Sequence, residues 1–417
     1  MRCWLLIGIL SALAITYGHA SPPPDYDREL IDWPSREYPT LQSAIDGLRD
    51  GGKLRMAPGV FEIGQPLLVR DRDIVIEGAG CQALDRFGRP KSRHTRLVGP
   101  RPSRVPDMGE GIPLFAVTGS GGLVLRGLEL NGFDAGIGIV DGDAEPPSRL
   151  QVTVEDACIV ETVRGIASSH SALKLIVRNV MIRDVLWNGV SFAPAQALAD
   201  ALFISYGLTM ANPKQACVVV KNASYTAFNT QLQNCGFNGP PGAGGGVLAV
   251  NSSVVFVDSS VNAPNGPGIA ARGGATLIEG SLVFLARGAG LLLFEPQSAA
   301  VHDSHVWLTQ PFPGGHPQAG AFGDGMAIAG GGNLWVGDTL IEDSARAGLS
   351  NFGSFASLGD LQIECAAAFD LEGESFLGQN FSFVDRGGNQ CGCPQANGSC
   401  EAVSVGFAPP EAIDPIP

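Results

Sequence analysis

The chain has 417 residues, of which 45% are apolar and 16% are charged, and its 56 Gly and 29 Pro together make up about one residue in five. This composition excludes a long helical bundle, which needs more Ala, Glu, Lys and Leu, and a disordered chain, which needs more charge or fewer apolar residues. The net charge is −14 and no basic run exceeds two residues, whereas a nucleic acid backbone is bound by clustered Lys and Arg. A turn-rich β protein with no nucleic acid partner is therefore predicted.

The first twenty residues have the three parts of a secretory signal peptide. Arg2 supplies a positive charge, an apolar core follows from Leu5 to Ile15, and a small residue, Ala20, ends the segment. An uncleaved anchor is the alternative, but the apolar stretch is shorter than the roughly 18 residues that a membrane span needs. We expect cleavage near Ala20 and a secreted, cell-surface or periplasmic protein without a transmembrane anchor.

An internal repeat dominates the middle of the chain, where a Gly is followed by an apolar residue. It recurs at Gly136, Gly165, Gly189, Gly246, Gly268, Gly290, Gly325 and Gly348, with Ala216-Cys217 filling the one gap. Each repeat contains about three short alternating strands, which cannot bury a face alone but can stack at about 4.8 Å per coil around an apolar interior. A β-propeller is the alternative, but its blades need roughly 40 to 45 residues. The repeat predicts a β-solenoid.

With these repeats, residues 38–385 resemble the right-handed parallel β-helix, or pectin lyase-like, superfamily. The segment at 38–48 is similar to its N-terminal capping helix, the segment at 51–61 to its first coil and the segment at 73–78 to the next strand. The resemblance implies an all-β solenoid of about ten coils with a short N-terminal capping helix. The predicted organisation is a signal peptide at 1–20, a linker at 21–37, the β-helix at 38–385 and a Cys- and Pro-rich tail at 386–417.

Members of this superfamily include polysaccharide lyases, glycoside hydrolases, uronate epimerases, esterases, phage tailspikes and adhesins. The family signatures N-T-D, G-H-G, D-P-H-E and R-x-P-x-x-R do not occur in this sequence. The resemblance therefore implies a polysaccharide or cell-surface glycan as partner, and it leaves two functions open. One is a lyase or glycoside hydrolase, and the other is a non-catalytic carbohydrate-binding, adhesive or structural solenoid.

Two columns of side chains follow from the repeat. The first contains the outward residues of the strand after each Gly, which are Gly138, Ala167, Ser191, Val218, Leu248, Ala270, Leu292, Ala327 and Ser350. None is ionisable, so this face is predicted to be a poor catalytic platform. Because a bare apolar stripe would invite association, we expect Val218, Leu248 and Leu292 to be covered, with the tail at 407–413 as a candidate cover.

The second column lies five residues after each Gly, where the strand ends. Asp141 and His170 are predicted on adjacent coils, about 5 Å apart, with Lys221 about two coils further. A carboxylate, an imidazole and an ammonium on one line could abstract a proton and neutralise charge during β-elimination of a uronic acid polymer. These three are the predicted catalytic residues. The alternative is that they are solvated corner residues.

The predicted substrate-binding and metal-binding residues lie in this column or directly beside it. The predicted substrate-binding residues are Asn251, Arg272 and Glu295. No cofactor and no dedicated metal site are predicted, although Ca²⁺ could bind through the oxygens of Asp141, Asp143 and Glu145. Trp307 and Arg346 could contact sugars or acids, with corner packing as their alternative role.

Eight cysteines remain after signal cleavage, and an even number in an exported chain suggests disulfides. Four of them lie near the C-terminus, and these disulfide candidates are Cys365, Cys391, Cys393 and Cys400. A zinc site is the alternative, but the C-x-C-x6-C spacing lacks the C-x2-C pairs of zinc ribbons. Cys217 lies on an apolar column and is predicted to be a buried thiol or to pair with a neighbour.

Overall fold

Each coil of the chain contributes one strand to each of three parallel sheets, which are numbered first, second and third in the order that the chain meets them. The computed structural model describes residues 29–81, 93–100, 111–141, 149–194, 201–239, 244–312, 314, 320–393 and 398–409. The predicted signal peptide and the predicted Ca²⁺ ligands Asp143 and Glu145 lie outside these residues. Among the described residues, no helix is long and apolar enough to cross a membrane.

The strands are short, and each pairs in parallel with strands one coil before and after it. The first sheet contains Leu30–Trp33, Lys53–Met56, Ile74–Glu77, Gly121–Arg126, Leu150–Glu155, Leu173–Arg178, Leu202–Tyr206, Ser224–Phe228, Ser253–Val257, Ala275–Glu279, Ser298–His302, Asn333–Gly337, Phe355–Gly359 and Ser382–Asp385. The second sheet contains Gly59–Glu62, Thr95–Val98, Glu129–Asn131, Cys158–Val160, Met181–Arg183, Thr209–Ala211, Gln231–Gln233, Ser260–Asn262, Leu282–Phe284, His305–Trp307, Leu340–Glu342, Gln362–Glu364 and Gln390–Gly392. The third sheet contains Leu67–Arg70, Pro113–Thr118, Ala135–Val140, Arg164–Ser168, Val190–Phe192, Val218–Lys221, Val247–Val250, Ile269–Arg272, Ala289–Phe294, Asp324–Ala329, Ala347–Phe352, Phe369–Glu374 and Ala402–Val403.

The described strands make about 13 coils, since the second and third sheets have 13 strands each. The sequence predicts about ten, and the difference arises because the coils at both ends lack the repeat Gly from which coils are counted. Strand Leu30–Trp33 lies before the predicted limits of 38–385, and strands Gln390–Gly392 and Ala402–Val403 lie beyond them. The parallel β-solenoid itself is confirmed.

The predicted capping helix spans Leu41–Gly47. Thr40 and Ser43 form a reciprocal capping box at its start, which satisfies two backbone donors that the first turn leaves free. Leu41, Ala44 and Ile45 are buried and belong to the main core, so the helix closes the N-terminal end of the solenoid.

The repeat glycines lie where successive coils approach too closely for a side chain. A Cβ atom on Gly246 would lie 2.3 Å from Val261 Cγ1 and 2.4 Å from the Gly268 carbonyl oxygen. The position therefore needs Gly for close packing between the second and third sheets.

The corner between the first and second sheets is a single residue in the left-handed region, which Asn, Asp and Gly adopt most readily. It is occupied by Asp156, Asn179, Gly207, Asn229, Asp258, Gly280, Asp303, Asp338 and Asp360. This corner stacks short polar side chains along one edge of the molecule, and it positions part of the site described below.

Eight described cysteines form four disulfides. The pairs are Cys81–Cys158, Cys217–Cys235, Cys365–Cys393 and Cys391–Cys400. The prediction of disulfides over zinc is therefore confirmed, and Cys217 pairs with a neighbour inside the core.

Candidate functional site

The structure brings Asp141 and His170 together on adjacent coils, with Asp141 Oδ1 3.6 Å from His170 Nδ1. The His170 side chain is only 1% exposed. Its Nε2 lies 3.2 Å from the Gly119 carbonyl oxygen, and its Nδ1 accepts a hydrogen bond from the Ala172 N–H. The Asp141 carboxylate accepts hydrogen bonds from the backbone and hydroxyl of Ser171. Both side chains thus contact residues of the corner at 170–172 or of an earlier coil, and both ring nitrogens of His170 are occupied by these contacts.

Lys221 does not join this line. It pairs in register with Val250, and Val250 pairs with Arg272, so Lys221 lies one residue before the corner position that Asn222 occupies. The prediction was wrong by one residue because Cys217, rather than Ala216, takes the place of the repeat Gly.

The predicted substrate-binding residues lie on this side of the third sheet. Arg272 and Glu295 face each other, with Arg272 Nε 3.8 Å from Glu295 Oε2, and both are partly exposed. Asn251 occupies a left-handed corner, and its amide lies 3.5 Å from Asn222 Oδ1. Their geometry is that of an exposed polar edge.

The same one-residue shift also changes which side chain points outward from the third sheet on the coil that contains Lys221. Val219, rather than the predicted Val218, points outward, and Val218 belongs to the main core. The outward stripe forms a second apolar cluster that is buried throughout. It comprises Ala216, Val219, Leu248, Ala270, Ala289, Leu292 and Ala327. The expectation that Leu248 and Leu292 are covered is confirmed.

A buried charge cluster, defined as Asp324, Arg346, Ser350 and Glu372, continues this outward face on the last coils. Ser350 pairs in register with Ala327 and Glu372 with Ser350, so the column becomes polar at its C-terminal end. Arg346 Nε donates to Asp324 Oδ1 at 2.7 Å, and Arg346 Nη2 donates to the other carboxylate oxygen. Asp324, Ser350 and Glu372 are fully buried. The prediction that this face carries no ionisable residue was wrong, because the column was followed only as far as Ser350.

Three aromatic rings surround the Arg346 guanidinium. Its central carbon lies 4.7 Å from the ring centre of Phe322, 5.0 Å from that of Phe407 and 5.9 Å from that of Phe352. Aromatic faces attract a cation, most strongly where water is excluded. Arg346 is therefore held between the Asp324 carboxylate and the rings, and its predicted contact with a sugar or an acid of a ligand stays a prediction.

Glu372 is the unusual member of the cluster. Within the described part of the chain, neither of its carboxylate oxygens makes a close, well-aligned hydrogen bond, and the same is true of Ser350 Oγ, although Ser350 lies near enough to Glu372 and Asp324 to lower the pKa of each. Burial raises the pKa of Glu372 to about 7, while the charge of Arg346 opposes the shift. Burial also raises the pKa of Asp324, and there Arg346 opposes it with direct hydrogen bonds. One carboxylate is thus paired with a cation, whereas the other is poised to exchange a proton near neutral pH.

A second feature is exposed, on the outward face of the second sheet. Trp307 is 36% exposed, and its ring centre lies 4.7 Å from that of Phe284 on the preceding coil and 6.0 Å from that of His305. Trp307 Nε1 donates to Asp343 Oδ2 at 3.1 Å, and His305 Nε2 lies 3.2 Å from Glu342 Oε2. Carboxylates thus fix both heteroaromatic rings.

The same arrangement recurs on the adjacent edge of the first sheet. Trp335 is 39% exposed and stacks on His302 at 5.3 Å between ring centres. His302 Nδ1 lies 2.8 Å from Asp303 Oδ2, and Nε2 lies 3.0 Å from Asp338 Oδ2. One ligand atom from each of these three polar residues lies within 4.8 Å of the others, so the group could hold a metal ion.

These residues lie on both sides of the corner between the first and second sheets. We call them the aromatic–acidic surface, which comprises Phe284, His302, Asp303, His305, Trp307, Trp335, Asp338, Glu342 and Asp343. An open cleft of about 420 Å³ adjoins it, lined partly by Ser260, Asp303 and His305. Apart from Trp307, no residue of this surface was predicted from the sequence, because its residues come from two sheets and approach one another only through the register of the coils.

No family model and no curated protein matches the sequence. Among solved structures, the chain is similar to the catalytic unit of a GH87 α-1,3-glucanase from Streptomyces thermodiastaticus, with 11% identity over 89% of this chain and 70% of that one and a TM-score of 0.54. The chain has the parallel β-helix fold. Two further matches are the A-module of the Azotobacter vinelandii mannuronan C-5 epimerase AlgE6 (12% identity, 87% of this chain and 96% of that one, TM-score 0.41) and an alginate lyase from Paenibacillus sp. (13%, 87% and 99%, 0.36). At these identities the likeness extends to the fold alone.

Proposed function

We propose that the protein is directed at polysaccharide and holds a glycan chain on the aromatic–acidic surface. The observation that carries this proposal is the pair of exposed indoles, Trp307 and Trp335, each stacked on a His ring beside a carboxylate. Indole faces pack against the apolar C–H faces of sugar rings, and carboxylates accept hydrogen bonds from sugar hydroxyls. The hydrogen bond from Trp307 to Asp343 fixes its ring before binding, which lowers the entropic cost of ordering it.

The charge of the surface favours a neutral glycan over a uronic acid polymer. Four carboxylates contact the polar rings of this surface, since Asp303 and Asp338 lie against His302, Glu342 lies against His305 and Asp343 accepts from Trp307. The protonated form of His302 or His305 would offset part of this charge, but a polyanion would still meet like charges. The net charge of −14 acts in the same direction.

Removal of the indoles tests the binding proposal. Trp307→Ala and Trp335→Ala should each weaken binding of a neutral oligosaccharide about tenfold, equivalent to about 1.4 kcal/mol, because each loses one stacking face. Isothermal titration with α-glucan oligosaccharides is the measurement, and the shared fold with an α-1,3-glucanase makes that glycan the first to test. Leu68→Ala, an exposed apolar change on an early coil, is the matched control. Unchanged affinity in both Trp variants would contradict the proposal.

A second function, hydrolysis of the glycan, is favoured by the buried charge cluster. Glycosidic cleavage commonly uses one carboxyl group that gives a proton and another that stays ionised. Glu372, with a pKa of about 7, is the proposed proton donor. Asp324, paired with Arg346, is the proposed ionised partner. The predicted residues Asp141, His170 and Lys221 remain the alternative catalytic set, although both ring nitrogens of His170 already contact the backbone.

Release of reducing sugar separates these two catalytic sets. Glu372→Gln should lower turnover at least a hundredfold and leave oligosaccharide binding intact, because the amide keeps the shape and loses the proton. His170→Ala should retain turnover. The opposite pattern, in which Glu372→Gln stays active and His170→Ala does not, would favour the Asp141 line, and no turnover by the wild type on any glycan would leave binding as the function.

We further propose that the protein is exported. Four disulfides are typical of an oxidising compartment, and this agrees with the signal peptide predicted from residues 1–20.

A further inference from the structure

The C-terminal segment returns to the last coil and lies against the buried charge cluster. The disulfide Cys391–Cys400 ties its start to the second sheet. Strand Ala402–Val403 then pairs with the end of the third sheet, where Val403 lies in register with Glu372. Val403 is therefore the next residue on the outward column that contains Ser350 and Glu372.

One carboxylate fastens the residues that follow this strand. Glu374 accepts hydrogen bonds from the Ser404 hydroxyl and from the backbone N–H groups of Val405 and Gly406. Although partial burial raises the pKa of Glu374, these bonds and one from the Phe407 backbone hold it below its usual range. The carboxylate thus remains ionised at neutral pH and keeps the segment in place.

Phe407 ends the fastened stretch and packs on the cluster. Its ring lies 5.0 Å from the guanidinium carbon of Arg346 and 5.9 Å from the Phe369 ring, edge to face. Ser404, Val405 and Gly406 are exposed, so Glu374 and the Phe407 ring make the main described contacts of this stretch.

We propose that residues 404–407 are a displaceable lid over the buried charge cluster, with the Glu374 carboxylate as its latch and Phe407 as the group that a ligand must displace. This inference rests on the proposed catalytic role of the cluster. In the closed form, Glu372 and Ser350 are buried without a close, well-aligned hydrogen bond, which is unfavourable. A sugar ring that replaced Phe407 would bring hydroxyl donors to Glu372 and a flat apolar face to Phe322 and Phe352.

The cysteine bridge defines where the lid begins. Cys400 is held covalently, so movement can start only beyond it, and the two paired residues Ala402 and Val403 offer a short hinge. The rest of the solenoid need not move, because its core strands are paired on both sides.

The test uses the full-length, disulfide-bonded protein and reads the lid without an activity assay. Glu374→Gln removes the charge of the latch and keeps its shape, and Phe407→Ala removes the group that closes on Arg346. Glu401→Gln, an exposed change on the same segment, is the matched control. Two readouts are hydrogen exchange of the 404–407 amides and carbodiimide labelling of the Glu372 carboxyl, both followed by mass spectrometry.

We expect at least tenfold faster exchange and labelling in Glu374→Gln, faster labelling in Phe407→Ala and wild-type rates in Glu401→Gln. Wild-type labelling of Glu372 in both lid variants would overturn the proposal. If the variants do not fold, hydrogen exchange of the wild-type protein tests the proposal instead. Amides of residues 404–407 that exchange as slowly as those of strand Phe369–Glu374 would overturn the lid proposal. If residues 404–407 open as expected but the protein turns over no glycan, the catalytic proposal is contradicted and the lid proposal is supported.

Discussion

Glu372 combines full burial with carboxylate oxygens that make no close, well-aligned hydrogen bond in the described structure. A charged carboxylate at such a position is disfavoured, so the folded state retains a proton that an exposed glutamate would release. The nearby Arg346 does not remove the effect, because its guanidinium is already engaged by Asp324. The fold therefore loses some stability by holding the pKa of a single glutamate near neutral pH, and such raised pKa values are common at reactive sites.

This environment predicts how stability depends on pH. The pKa of Glu372 rises from 4.5 to about 7 in the folded state. Between these values the folded state holds more protons than the unfolded state, so the free energy of unfolding falls as the pH rises through this window. The total change is roughly 3–4 kcal/mol at most. Urea unfolding at pH 5 to 8 should show this slope in the wild type and a shallower one in Glu372→Gln, where the raised pKa values of Asp324 and Asp370 still contribute.

The matched control is Glu364→Gln on the second sheet, which should retain the wild-type slope. The explanation fails if Glu372→Gln and the wild type lose stability in parallel between pH 5 and pH 7.

At the scale of the element, the repeat glycines determine how closely the second and third sheets can approach. The Gly246 position is bounded by the Gly268 carbonyl of the next coil, which is backbone and cannot rotate away. The same contact recurs at Gly268 and Gly290, so one close approach is copied from coil to coil. Because each coil needs Gly at the same position, the repeat is visible in the sequence as a periodic glycine.

A methyl group at this position should be costly. Gly246→Ala places a Cβ within 2.4 Å of that carbonyl oxygen and should destabilise the protein by roughly 2–3 kcal/mol through overpacking. Gly64→Ala is the control, because no heavy atom lies within 4 Å of its Cβ position, and its effect should stay within about 0.5 kcal/mol. Chemical unfolding measures both. Equal stability of the two variants would show that the close approach is not required.

At the scale of the whole molecule, the sequence predicted the parts of the fold that repeat. The stacked coils, the capping helix and the disulfides follow from periodic glycines, a helical apolar face and an even cysteine count. Coil number did not follow, because the coils at both ends lack the repeat Gly, and exact register did not follow, because Cys217 replaces a repeat Gly. That single shift displaced Lys221 and Val218 from their predicted columns.

The candidate sites were less predictable for a related reason. Asp141 and His170 were correctly placed side by side, but the burial of His170 depends on backbone partners that sequence spacing does not reveal. Glu372 lies one coil beyond the last repeat Gly, so its column was not followed far enough. The stacked pair of Trp335 and His302 joins two coils of the first sheet, and only the three-dimensional register brings these two rings together.

The central claim, that the aromatic–acidic surface binds neutral glycan, is tested most directly by tryptophan fluorescence of the wild-type protein. Titration with α-glucan oligosaccharides should give a saturable change in indole emission, since the sugar covers Trp307 and Trp335. Oligouronates of the same length should give little change, because the four carboxylates of the surface repel them. A saturable signal that persists in the double variant Trp307→Ala and Trp335→Ala, or a stronger response to oligouronates, would contradict the account.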